Sequence, residues 1–87
     1  MAYAVLLKPS AKRALESLPA TVQARLVRRM EPLAADPRPH GSQKMGGEDG
    51  HYRIRVGDYR FVYAVDDARR IVWITKIGHR GDVYRRR

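Results

Sequence analysis

The chain has 87 residues, 18 Lys and Arg against 9 Asp and Glu, a formal net charge of +9, and no cysteine. That length supports one small domain, residues 1–87, and excludes a second core; the missing cysteines exclude a disulfide scaffold and a thiolate metal site. A hydrophobic fraction of 44% beside 31% charged residues describes a chain that folds, and its positive excess points to nucleic acid or an acidic protein rather than a membrane.

Residues 2–7 form a short apolar run that can open a sheet. The N-terminal stretch MAYAVLLKPSAKR is too briefly apolar, and has the wrong charge order, for a signal peptide, so the expected compartment is the cytoplasm. Lys8-Pro9-Ser10 ends the run, with Ser10 as the expected N-cap of a helix. Ala11, Ala14, Leu15 and Leu18 fall at i, i+3, i+4 and i+7, one face of that helix, and Pro19 closes it. Val22, Leu26, Met30 and Leu33 repeat at helical spacing in a second helix, while Gln23, Arg25, Arg28 and Arg29 turn outward. Pro32 is expected to kink or stop it. Residues 36–50 (DPRPHGSQKMGGEDG) are rich in Pro, Gly and polar side chains, which predicts a surface connection rather than an element. Its length is unusual for a small domain and suits a functional or mobile loop.

Three strands follow, at 52–56, 59–65 and 71–77. The order β-α-α-β-β-β predicts an α+β fold: a two-helix hairpin packed on one face of a small, mainly antiparallel four-stranded sheet. In HYRIRVGDYRFVY, residues 51–63, alternation puts Tyr52, Ile54 and Val56 on one face and Arg53 and Arg55 on the other. Gly57-Asp58 reads as a two-residue type II′ loop. Counting outward from it sets Val56 opposite Tyr59, Arg55 opposite Arg60, and Arg53 opposite Val62. Like charges placed across a sheet cost a few tenths to about 1 kcal/mol. A bound polyphosphate would convert that cluster into charge-assisted hydrogen bonds; without one, the arginines spread into water or pair with Asp58, Asp66 or an acidic partner protein. Tyr59, Phe61, Tyr63 and Val65 join the apolar set facing the helices, and the arginine face is expected to stay open.

Residues 77–84, IGHRGDVY, deliver an imidazole, a guanidinium and a phenol between glycines that let backbone approach a ligand. An antiparallel meander brings that strand end toward Arg53, so these groups can converge on one site. Trp73, among Ile71, Val72 and Ile74, is expected in the core; His40 and His51 are expected on the surface. Lys44 is a loop lysine that can touch an RNA backbone. The terminal arginines 85–87 read as a charged tail, or as a dock for an acidic partner segment.

Five stretches carry a family resemblance: LESLP at 15–19, DPRP at 36–39, KMGG at 44–47, YRIRVGDYRFVY at 52–63 and IGHRGDVYR at 77–85. In that order, over nearly the whole chain, they resemble the RelE toxins of type II toxin–antitoxin modules. The resemblance implies a ribosome-dependent endoribonuclease that cuts mRNA in the decoding site without a metal or other cofactor. It also implies a cognate RelB-like antitoxin that holds the toxin inactive, contact with operator DNA only through the antitoxin complex, and no membrane. It assigns Arg53 and Arg55 to the two basic strand positions of the active site, Arg60 to the scissile phosphate, Arg80 to the leaving group and Tyr84 to the neighbouring nucleotide.

The two strand positions are often lysine in the family's best-known member. Arginine keeps its proton, so Arg53 is a poor general base, and the identity of the base stays open; His79 is the candidate for proton transfer. The chemistry drawn is attack of the substrate's 2′-hydroxyl on the adjacent phosphate, leaving a 2′,3′-cyclic phosphate and a 5′-hydroxyl. The sequence offers no paired carboxylates of the kind a Mg²⁺ site uses. Two other readings share the fold or the charge: a ParE-like inhibitor of DNA gyrase, and a non-catalytic RNA-binding or interaction module.

Overall fold

Pro9 decides where the first helix begins. Its fixed φ and missing N–H suit the first helical position, so after strand β1 (Ala4–Leu7) the helix α1 runs Pro9–Glu16 with Lys8 as its N-cap. The expected cap, Ser10, instead lies inside the helix. Ala11 and Leu15 are buried, and Ala14 and Leu18 pack against them. Pro19 serves as the N-cap of α2 (Ala20–Met30), which buries Leu26 and Met30. At Pro32 the helix tightens into a 3-10 turn, Glu31–Ala34, and this keeps Leu33 in the core.

The computed structural model describes residues 2–45 and 50–79. Within them the connection after the helices is not free of structure. It contains a two-residue strand, β2 (Gln43–Lys44), ahead of β3 (His51–Val56), β4 (Tyr59–Asp66) and β5 (Ile71–His79). The sheet therefore has five strands, in the order β1-β5-β4-β3-β2, where four were expected. So short a strand carries no alternation to read. It exists through its pairing: Gln43 opposite Arg53, Lys44 opposite Tyr52, and the Met45 N–H donating to the His51 carbonyl at 2.9 Å. The sheet is mixed, because β1 runs parallel to β5 and the other neighbours are antiparallel.

Gly57 has φ of +63° and Asp58 does not share the positive sign, as a type II′ loop requires. The β3–β4 register follows, with Arg55 opposite Arg60 and Arg53 opposite Val62. Both helices cover one face of the sheet, where Ile54, Phe61, Tyr63, Val72, Ile74 and Ile77 form the core with Leu26 and Leu33.

Strand β5 departs from strict alternation. Val62 pairs with Lys76 but Tyr63 pairs with Ile74, so Thr75 is an extra residue, a β-bulge. Its hydroxyl donates to the Val62 carbonyl at 3.2 Å and closes the gap in the ladder. The bulge lets both Ile74 and Ile77 enter the core while Lys76 and Trp73 emerge on the opposite face. Trp73 is thus not the core tryptophan that its neighbours suggested. It is half-buried, flanked by Ala64 and Leu6 in register, with the Lys8 ammonium 4.2 Å from its ring centroid. Among the described residues no helix is long and apolar enough to cross a membrane.

Candidate nucleic-acid interface

The face of the sheet turned away from α1 and α2 gathers cations in two adjacent rows. One row crosses the strands as Gln43, Arg53, Val62 and Lys76; the next runs Arg55, Arg60 and Gly78. Side chains directly opposite stand about 5 Å apart at Cβ, and diagonal neighbours about 7–8 Å. Arg53 and Lys76 therefore flank Arg60 diagonally from its two sides, and Arg55 faces it. Four positive side chains share one patch of sheet.

They are not equally exposed. Arg55 and Lys76 stand out in solvent, Arg53 is half-buried, and Arg60 is only 9% exposed. The expectation of an open arginine face thus needs correction at its centre. Gly78 beside Arg60 has no side chain to stand in the way, so the long stem can lie along the sheet. Arg53 donates from Nη2 to the Gln43 side-chain carbonyl, which fixes the orientation of its guanidinium. Arg29, from α2, donates to the Arg55 carbonyl at 3.4 Å and brings a further cation to the hairpin end.

Two expected site residues face elsewhere. Lys44 pairs with Tyr52 and so stands on the helix-side face, exposed. His79 pairs with Tyr59, its ring edge-on to the tyrosine at 5.2 Å and 85°, while its neighbour Gly78 takes the place beside Arg60. The imidazole is turned from the arginine rows. Arg80, Tyr84, the KMGG glycines and the terminal arginines lie outside the described residues.

Gln43 and Lys76 are the members of the patch that sequence reasoning missed. Strict alternation groups Lys76 with Ile74 and Val72, and only the Ile-Thr-Lys-Ile spacing, two core positions three apart in a strand, hints at the bulge that separates them.

A second polar cluster is structural in character. Arg38 forms a two-pronged pair with Asp67, Nη2 to Oδ2 at 2.7 Å and Nη1 to Oδ1 at 3.2 Å, and its Nε donates to the Tyr52 hydroxyl at 2.9 Å. The Tyr3 hydroxyl donates to the same carboxylate at 2.6 Å. The Arg38 guanidinium, then the Tyr3 hydroxyl, hold the Asp67 carboxyl below its ordinary value, and the carboxylate in turn raises both Tyr3 and Arg38.

Comparison with known proteins agrees with this architecture. Residues 5–84 match the family described as the ParE toxin of the type II toxin–antitoxin system parDE. The chain belongs to the RelE/ParE superfamily of type II toxins. Toxin RelG of Mycobacterium tuberculosis is 33% identical over 87 residues, covering 99% of this chain and 100% of the relative. Toxin RelE of the same organism is 36% identical over 84 residues, covering 95% and 87% respectively. Among solved structures, the archaeal RelE–RelB complex from Pyrococcus horikoshii OT3 superposes with a TM-score of 0.80 at 31% identity, covering 93% of this toxin and 98% of that chain.

Proposed function

We propose that this toxin is a ribosome-dependent endoribonuclease that cuts mRNA in the decoding site. The observation that carries the reading is the direct opposition of Arg55 and Arg60, flanked by Arg53 and Lys76, on the sheet face opposite α1 and α2. A phosphate chain laid across such a cluster takes charge-assisted hydrogen bonds from several side chains at once. The RNA supplies its own nucleophile: the 2′-oxygen bonds to phosphorus as the bond to the 5′-oxygen breaks. One proton leaves the 2′-hydroxyl and one arrives on the departing oxygen. Arg55 and Arg60 stabilise the charge that builds on the phosphate oxygens, the largest contribution in sites of this kind. Arg80 and Tyr84 keep the leaving-group and nucleotide roles that the family resemblance gives them. His79 and Lys44 have no part in the phosphate contacts of this reading, because the register turns them to the other face.

A RelB-like antitoxin is the expected partner, supported by the RelB bound to the Pyrococcus relative and by a charge of +9 that an acidic segment would neutralise. Contact with operator DNA then runs through that complex.

The test is toxicity and mRNA cleavage by Arg55→Ala and Arg60→Lys variants expressed without antitoxin. Arg60→Lys keeps the stem and the charge of a nearly buried residue but loses the planar fork. Each variant should cleave ribosome-bound mRNA on the order of 10²-fold more slowly, with circular dichroism unchanged. If both stop growth as effectively as the parent, this cluster does not do the chemistry. The parDE family match favours a second reading, inhibition of DNA gyrase; blocked supercoiling with intact mRNA would establish it in place of the first.

A further inference from the structure

We propose that Trp73 is a base-stacking platform that extends the RNA track beyond the arginine rows, toward the β1 edge of the same face. The inference rests on the endoribonuclease reading and adds to it a contact with a nucleotide remote from the cleaved link.

Alternation with the buried Val72 and Ile74 sets the indole opposite Ala64, on the sheet face turned away from α1 and α2. Around it that face changes character: Ala64 and Leu6 are its partners in register, and Leu6 is 41% exposed, the one large hydrophobic left so exposed among the described residues. A half-buried indole beside an exposed leucine is a flat apolar step at the β1 end of that face, with Asp66 in the neighbouring row. The step is continuous with the arginine patch. From Arg60 to Ala64 is four residues of β4, about 14 Å along the strand, a reach of a few nucleotides. Lys76 stands on β5 between Gly78 and Trp73, where it can accompany the backbone of such a segment.

Lys8 completes the arrangement. Its ammonium lies over the indole at 4.2 Å, on an exposed, flexible stem. A cation over a solvated ring is a weaker association than a nucleobase stacked on it, so the base displaces the ammonium. The displaced lysine is then free to meet the phosphate that arrives with the base. The partner is single-stranded RNA rather than duplex, because only unpaired bases present their faces to a ring.

Trp73 is the sole tryptophan of the chain, so its fluorescence reports this contact directly. The experiment titrates the full toxin with a short unstructured RNA carrying a 2′-O-methyl block at the cleaved link. A matched strand, abasic throughout, serves as the control, and anisotropy of labelled RNA measures binding in both cases. The expected result is quenching by the RNA with bases and none by the abasic strand at equal saturation. Trp73→Leu should bind the base-bearing RNA about tenfold more weakly, and Trp73→Phe should recover most of that loss. Binding without quenching, with Trp73→Leu as tight as the parent, overturns the platform and leaves the endoribonuclease reading standing. Absence of RNA binding together with absence of mRNA cleavage on ribosomes overturns both. A fluorescence change on dilution of the toxin alone assigns the Leu6–Trp73 step to a second copy of the chain and overturns the proposal.

Discussion

Tyr63 has no exposed surface, yet it ends in a hydroxyl. Its ring stacks on Tyr52 at 5.6 Å and tilts against Phe61 at 5.9 Å, and the hydroxyl donates to the Pro37 carbonyl at 2.7 Å. Burial raises its pKa, so it remains a donor at neutral pH. Tyr63→Phe keeps the packing and leaves a buried carbonyl without its donor, at a cost of about 1–2 kcal/mol. Urea unfolding should show a lower midpoint at unchanged slope; an unchanged midpoint would mean that the carbonyl finds another donor. Alternation alone placed Tyr63 in the core, since every second residue of that stretch is bulky and apolar. The reach of its hydroxyl back to Pro37 could not be read the same way. It depends on where a Pro-rich connection lies in space, and no local pattern encodes that.

Among the elements, the β3–β4 hairpin depends most on one residue. Gly57 holds a φ of +63°, and a Cβ added there would come within 2.6 Å of the Arg25 Nη2. The guanidinium ends a flexible exposed side chain and can swing aside, so the backbone term decides. Gly57→Ala should destabilise by roughly 1 kcal/mol, measured by denaturant unfolding, and Gly57→Asn by less, because asparagine tolerates this region better. This hairpin was legible in sequence: two residues of loop, glycine at the strained position and alternation on both sides allow a single register. Strand β2 and the bulge in β5 were not. The first is two residues long and owes its existence to β3. The second inserts one residue, which reverses every assignment of face on one side of it, and so Lys76 went unnoticed; Trp73 was expected inward from its apolar neighbours Ile71, Val72 and Ile74, although it alternates with Val72 and Ile74. The same parity puts Lys44 and His79 on the helix side, although their chemistry had suggested the site.

At the scale of the whole molecule, Tyr3, Arg38 and Asp67 tie together the segment before β1, the connection after the helices and the turn between β4 and β5. The pair is exposed, 40% and 57% for its two side chains, so solvent screens it and its contribution is modest. Its pH dependence has a definite sign. The Asp67 carboxyl is lowered in the folded state, so its stabilisation is fully present above the ordinary carboxylate value and is lost as pH falls through the lowered one. Thermal unfolding of Asp67→Asn followed from pH 7 to pH 2 should therefore converge on the parent at the acid end; a constant gap would show that the substitution acts through packing instead. The arginine patch was legible at this scale because the hairpin register alone opposes Arg55 to Arg60. Its partial burial was not, since that depends on which side chains neighbouring strands bring alongside. The parallel pairing of Ala4–Leu7 with residues 71–74 carries a consequence for biosynthesis. Strand β1 meets its partner only after both helices and strands β2, β3 and β4 between them have been made, because this pairing closes a long separation in sequence. Until then an apolar ribbon stays unpaired, and a prematurely terminated product that ends before β5 cannot complete its sheet.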